Sequence, residues 1–164
     1  MSLVGDIARA YRAPKTTFKA QLAKSGEERI LLFAFLFSFL SFIARVPELA
    51  WVTGTMESDV PLSARVGAMF VASVFMAPLM MYLIAALSHL VLRPLGGKGN
   101  WQQTRLALMW SALVAVPLVL LGGALKVLAP GLPFSVATGV TGVVFLWQWA
   151  MCLQVVEFPS KTAA

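Results

Sequence analysis

The chain has 164 residues, is 59% hydrophobic and only 12% charged, and carries a net charge of +6. Soluble domains are typically about 25% charged, so this composition excludes an ordinary soluble domain and indicates a membrane protein. Because the basic residues flank apolar stretches instead of clustering on a polar fold, we expect no nucleic-acid partner. The anionic headgroups of membrane lipids are the expected partner of this charge.

Residues 1–28 predict a basic amphipathic N-terminal segment on the cytoplasmic side of a membrane. Apolar residues recur at helical spacing before and after Pro14, namely Leu3, Ile7, Tyr11, Phe18 and Leu22. Such a pattern is typical of a helix lying in the headgroup plane. Three of its basic residues are candidates for binding a lipid or a protein partner: Arg12, Lys15 and Lys19. The alternative is a tail that only sets the topology and rests on the membrane.

Three later stretches, 66–92, 106–125 and 132–156, contain no Asp, Glu, Lys or Arg. About 20 apolar residues of helix cross a bilayer core, where a charge costs several kcal/mol, so each stretch is predicted to span the membrane. A shorter uncharged stretch, 30–44, needs the residues up to Trp51 to cross. A buried or re-entrant segment is the alternative reading of that stretch.

The basic residues decide whether this short stretch crosses. They concentrate before it and between the stretches 66–92 and 106–125, the second and third predicted spans, and the positive-inside rule places both groups in the cytoplasm. An even number of crossings must separate the two groups, so the short stretch crosses as well. The predicted fold is an all-α polytopic membrane helical bundle with both termini cytoplasmic. Its predicted parts are a domain at 29–157, with four transmembrane helices at about 29–51, 66–92, 105–126 and 134–156, and a cytoplasmic tail at 158–164.

A glycine-rich loop joins the second and third predicted spans. Asn100 is a good helix N-cap, and Gln103 three residues later completes a capping box, so a helix begins there. Lys98 and the free amides at that helix start suit a lipid phosphate, whereas a simple turn is the alternative. The candidate lipid- or partner-binding residues of the loop are Gly96, Gly97, Lys98, Gly99, Asn100 and Trp101.

Residues that carry chemistry are scarce in the predicted spans. His89 is the single histidine, and no second histidine or acidic residue lies within the three charge-free stretches to complete a metal site. We therefore interpret His89 as a helix-packing or hydrogen-bonding residue, with a haem ligand as the alternative. Small residues at the spacing of close helix contacts, Ser135, Gly139 and Gly142, predict packing within the bundle or in a dimer. We expect no catalytic residues, no metal and no cofactor.

The segments around the glycine loop resemble the Yip1 family of small polytopic membrane proteins, particularly its short alphaproteobacterial-type branch. The resemblance lies in 85–91, in the loop 96–105, in a following span with Pro117, in the aromatic 143–147, and in 26–29 and 45–48. It implies a bacterial inner (cytoplasmic) membrane location and no catalytic residues. Eukaryotic relatives usually have five spans and are implicated in vesicle trafficking with prenylated Rab-type GTPases. Because four spans and a short N-terminal segment are predicted here, we do not expect that role.

The sequence thus predicts a non-enzymatic integral membrane scaffold that binds lipid or a protein partner at the cytoplasmic face. Two alternatives remain open at this point. One is an accessory subunit of a larger respiratory or photosynthetic membrane complex, and the other is a small transporter or haem-binding membrane protein. We expect a membrane protein partner or a homo-oligomer for the scaffold and for the accessory subunit.

Overall fold

The computed structural model describes residues 2–24, 26–55 and 60–158, with residues 52–55 described as backbone only. These parts of the chain are helical, and they contain no strand. The helices are α1 (Leu3–Ala10), α2 (Pro14–Leu22), α3 (Glu27–Thr55), α4 (Leu62–Val71), α5 (Ala77–Leu92), α6 (Trp101–Leu128) and α7 (Leu132–Glu157), with a π-helical turn, Ala72–Met76, between α4 and α5.

Four helical segments are long and apolar enough to cross a membrane: Glu27–Trp51, Leu62–Leu92, Trp101–Leu128 and Leu132–Glu157. They confirm the predicted all-α bundle of four transmembrane helices. The short first stretch does form a complete span, because α3 continues through Arg45 and Pro47. Of the tail predicted at 158–164, only Phe158 lies within the described residues.

The second span is continuous through α4, the π-helical turn and α5. Pro78 has no backbone N–H, so the regular hydrogen-bond ladder cannot be completed at that position. In the turn just before it, the Ala77 N–H donates to the carbonyl of Ala72, five residues back. The extra residue of this turn absorbs the interruption, and the helix continues to Leu92.

Two ion pairs join α3 and α6, which run parallel. Glu27 Oε1 lies 2.9 Å from Arg105 Nη1, and Glu48 Oε1 lies 2.5 Å from Lys126 Nζ. On each helix the two partners are 21 residues apart, which is about 31 Å along the axis. A bilayer core is about 30 Å thick, so the pairs mark its two faces. We call the end with Glu27 and Arg105 the loop end, and the end with Glu48 and Lys126 the far end.

Helix α6 is the centre of the bundle and contacts α3, α5 and α7. Its residues 106–116 are all buried, but beyond Pro117 burial becomes intermittent. The closest backbone approach lies in that second part, where a Cβ built on Gly123 would overlap the carbonyl oxygen of Ala44 in α3. A Cβ built on the neighbouring Gly122 meets no heavy atom within 4 Å. Of these two glycines, Gly123 is therefore the one that permits the α3–α6 crossing.

The N-terminal segment folds into a hairpin of α1 and α2 that packs on α6 and α7. Ala10 and Phe18 are fully buried in it, so its amphipathic character is confirmed. The expectation that it lies in the headgroup plane is corrected, because its apolar face is covered by other helices of the chain. A helix pair with buried Ala10 and Phe18 gains more by packing on α6 and α7 than by leaving that face toward headgroups.

Polar groups fix the depth of this hairpin. The Tyr11 hydroxyl donates to the carbonyl of Val114 at 2.6 Å, and the Gln148 amide donates to the carbonyl of Ala10 at 3.1 Å. Val114 lies nine residues, or about 13 Å, from Arg105 on α6, and Gln148 lies nine residues from Glu157 at the end of α7. The hairpin tip therefore reaches toward the middle of the bundle. Burial also raises the pKa of the Tyr11 hydroxyl above the ordinary tyrosine value of 10.0.

Replacing Gly123 by Ala should destabilise the protein by roughly 1–3 kcal/mol, because the added methyl group forces α3 and α6 apart. Gly122→Ala is the matched control and should leave stability unchanged or slightly raise it, since the methyl group enters open space and helix propensity improves. Thermal unfolding in detergent, followed by tryptophan fluorescence, measures both. Equal melting temperatures would contradict this packing.

Replacing Tyr11 by Phe should loosen the hairpin by about 1 kcal/mol, the usual net value of one hydrogen bond. Trypsin cleavage after Arg12 and Lys15 should then accelerate about fivefold. Because the docked hydroxyl has the higher pKa, docking keeps its full strength below pH 10 and weakens as pH rises above it. The wild-type cleavage rate should therefore rise above pH 10, and the Phe variant should lack that extra rise.

Candidate functional site

A fully buried carboxylate, that of Glu157, lies at the loop end of α7. Its Oε1 accepts from the Thr104 hydroxyl at 2.7 Å and lies 2.8 Å from His89 Nδ1, and its Oε2 accepts from the Gly99 N–H at 3.0 Å. An ionised carboxylate has no proton to offer, so Nδ1 carries the proton of the His89 contact. Three donors thus compensate the burial of this carboxylate, which would otherwise cost several kcal/mol.

The glycine loop wraps around the same residue. The Lys98 N–H donates to the Glu157 carbonyl oxygen at 2.9 Å, and the Gly97 N–H donates to the Leu92 carbonyl oxygen at 3.0 Å. A Cβ on Gly97 would lie 2.6 Å from Glu157 Oε2, and one on Gly99 would lie 2.8 Å from its Cδ. These two glycines therefore let the backbone approach the carboxylate, whereas Gly96, with φ of +91°, lies in the turn that follows α5.

The outer side of the loop forms a recess of about 350 Å³. Its lining residues are His89, Arg93, Gly97, Lys98, Gly99, Asn100 and Trp101. The His89 and Trp101 rings pack with their centroids 4.5 Å apart and form its apolar wall. Arg93 and Lys98 are exposed, and neither forms an ion pair within the described part of the chain. The recess therefore presents positive charge to solvent.

The start of α6 has the predicted capping box. The Asn100 N–H donates to Gln103 Oε1 at 3.2 Å, and the Asn100 side chain accepts from the backbone of Gln103. The amides of Gly97, Lys98, Gly99 and Asn100 are all engaged within the protein. The expectation that free loop amides hold a phosphate is thus corrected for these four, because the fold uses them to hold Glu157 and the helix start.

Six of the predicted residues line the recess. They are His89 and the five loop residues 97–101. Gly96 shapes the turn from outside the lining. The predicted cations of the hairpin, Arg12, Lys15 and Lys19, are exposed and lie outside the recess.

The small residues of α7 lie elsewhere. Ser135, Gly139 and Gly142 are exposed, and a Cβ built on either glycine meets no heavy atom within 4 Å. The predicted close packing of Gly139 and Gly142 within the chain is therefore wrong for the described residues, because neither glycine meets a neighbouring helix closely and Gly142 borders an open space between the helices. A dimer interface at the stripe stays a prediction.

Three site residues were missed by sequence reasoning: Arg93, Thr104 and Glu157. Glu157 is the first charged residue after the last charge-free stretch, so a search confined to the stretches overlooks it. The available signal was an acidic residue directly at the end of a span, at the same predicted face of the membrane as the single histidine.

Replacing Glu157 by Ala should destabilise the protein by about 3 kcal/mol, because three buried donors lose their acceptor. Glu48→Ala is the matched control. Its partly exposed ion pair with Lys126 is worth about 0–1 kcal/mol. Chemical unfolding in detergent compares the two variants. A Glu157 variant as stable as the Glu48 variant would show that the network does not hold the loop.

The comparisons with known proteins agree with this architecture. The family model of the Yip1 domain matches residues 9–164, which is nearly the whole chain. No curated protein and no solved structure matches the chain. The match includes the hairpin from Arg9 onward, the glycine loop and all four apolar spans. The chain belongs to the Yip1 family of membrane proteins.

Proposed function

We propose that this Yip1 family protein is a non-enzymatic scaffold that binds the phosphate of an anionic lipid at the cytoplasmic face of the bacterial inner membrane. The observation that carries the proposal is the recess at the loop end. Its two cations are unpaired in the described structure, while its nearest carboxylate, Glu157, is fully occupied by His89, Thr104 and Gly99. The recess is therefore built for an anion and held in shape by the core.

The proposed orientation follows from charge. The loop end carries the basic hairpin together with Arg93, Lys98 and Arg105, whereas the far end carries few basic residues. The positive-inside rule favours a cytoplasmic loop end. Both described chain ends lie there too, since Glu157 contacts the loop and Tyr11 contacts the loop half of α6.

Side chains supply the proposed phosphate contacts. The guanidinium of Arg93 can donate two parallel hydrogen bonds to phosphate oxygens, and Lys98 adds a flexible point charge. His89 uses Nδ1 for Glu157, and its Nε2 has no hydrogen bond within the described structure. Trp101 offers an indole ring that suits the interface between headgroups and hydrocarbon.

The hairpin supplies the second part of the proposed surface. Lys15 and Lys19 are exposed on α2, and Arg12 is exposed at the tip, where its long side chain can extend toward the headgroups. Each basic residue near an anionic membrane surface contributes about 1 kcal/mol. Because Ala10 and Phe18 anchor the hairpin in the bundle, these cations keep a fixed position on the bundle.

The proposal predicts that the double variant Arg93→Gln/Lys98→Gln binds phosphatidylglycerol roughly 30-fold more weakly than the unchanged protein, from about 1 kcal/mol for each cation. Native mass spectrometry of delipidated protein, titrated with phosphatidylglycerol and with phosphatidylcholine of the same chains, measures this. Phosphatidylcholine binding should not change.

The matched control is Lys24→Gln/Arg65→Gln, which removes the same charge outside the recess. It should retain nearly all of the phosphatidylglycerol affinity. An equal loss in both double variants would mean that only overall charge matters, and the recess would then not be the binding site.

A further inference from the structure

A second, larger cavity lies in the bundle, away from the recess. It encloses about 1010 Å³, at the upper end of the roughly 300–1,000 Å³ typical of small-molecule sites. Residues of α3, α5, α6 and α7 line it, and most of them are apolar or small. It runs along α6 from Lys126 at the far end to at least Ala112.

The cavity exists because the far half of the bundle is loosely packed. Continuous burial of α6 stops at Val116, just before Pro117, and the facing part of α7 carries Thr138 and Gly142. A Cβ built on Gly122 or on Gly142 meets no heavy atom within 4 Å. An apolar space of this size offers water few hydrogen-bond partners, so a hydrocarbon chain is its natural content inside a membrane.

Charge at the mouth of the cavity defines the other end of its occupant. Arg45, Glu48 and Lys126 line the cavity at the far end. Glu48 is paired with Lys126, whereas Arg45 is exposed and has no ion-pair partner among the described residues. Among the described residues, the mouth therefore carries one positive charge without an ion-pair partner, at the level of the headgroups.

We propose that this cavity binds one anionic phospholipid of the far leaflet, with its phosphate on Arg45 and one acyl chain inside the protein. From Lys126 to Ala112 is 14 residues, or about 21 Å of helix. Half of the bilayer core is about 15 Å, so the bound chain is held extended and passes the midplane. This site lies at the opposite face of the membrane from the recess. It binds an acyl chain as well as a headgroup.

A brominated phosphatidylglycerol tests the position of the chain, because bromine quenches nearby tryptophan fluorescence and Trp149 lines the cavity. With delipidated protein in detergent, at stoichiometric lipid, quenching should be clear and should fall substantially in Trp149→Phe. Gly142→Leu fills the cavity and should weaken binding at least tenfold. Gly139→Leu is the matched control, since Gly139 is also exposed on α7 but does not line the cavity. It should bind like the unchanged protein.

The headgroup is tested by Arg45→Gln, an exposed substitution that leaves the packing intact. The preference for phosphatidylglycerol over phosphatidylcholine with the same brominated chains should fall about fivefold. Arg93→Gln/Lys98→Gln should leave this quenching unchanged, which separates the cavity from the recess. Equal quenching in Gly142→Leu and Gly139→Leu, or a lipid preference that does not depend on Arg45, would overturn the proposal.

Discussion

The buried carboxylate of Glu157 is the constraint on which the loop end of the protein depends. A carboxylate that is removed from water must find donors, and here they come from α5 (His89), from the loop (Gly99) and from α6 (Thr104). One side chain on α7 thereby joins three helices and the connection between two of them. The two glycines that approach it follow from the same requirement, since a side chain at either position would displace the acceptor.

The two halves of the bundle differ in packing. In the loop half, residues 106–116 of α6 are buried under α3, α5, α7 and the hairpin, and Trp110 packs against Phe33 at a centroid distance of 5.6 Å. In the far half, α3 and α6 touch through Gly123, while a cavity lies between these helices, α5 and α7. A well-packed half next to an open one suits a protein that presents a fixed surface at one face and accepts hydrocarbon at the other.

The spans and the start of α6 were predictable because local sequence encodes them. Charge-free stretches, the distribution of basic residues and the Asn100–Gln103 spacing each act within a few residues or through a bulk solvent preference. The partner of His89 was not predictable, since Glu157 is 68 residues away along the chain. Packing, and not local sequence, decides which helix faces meet. Glycine spacing failed to predict the helix contacts for the same reason. Gly139 and Gly142 have the spacing of a helix contact and face open space, whereas Gly123 makes the contact without such a motif.

The N-terminal hairpin shows how buried polar groups turn an apparent appendage into part of the fold. Tyr11 and Gln148 lie too deep to reach water easily, so each needs a partner, and each finds one across the hairpin interface. A further chain of contacts runs from Asp6 through Gln21 to Arg29 at the start of α3, with distances of 2.9 Å and 2.6 Å. Since the hairpin is fixed at its tip and at its base, its exposed cations hold a defined position on the bundle. A loosely tethered basic tail would attract any anionic surface, whereas in the proposed lipid complex cations in defined positions on α2 and on the loop would favour one arrangement of headgroups.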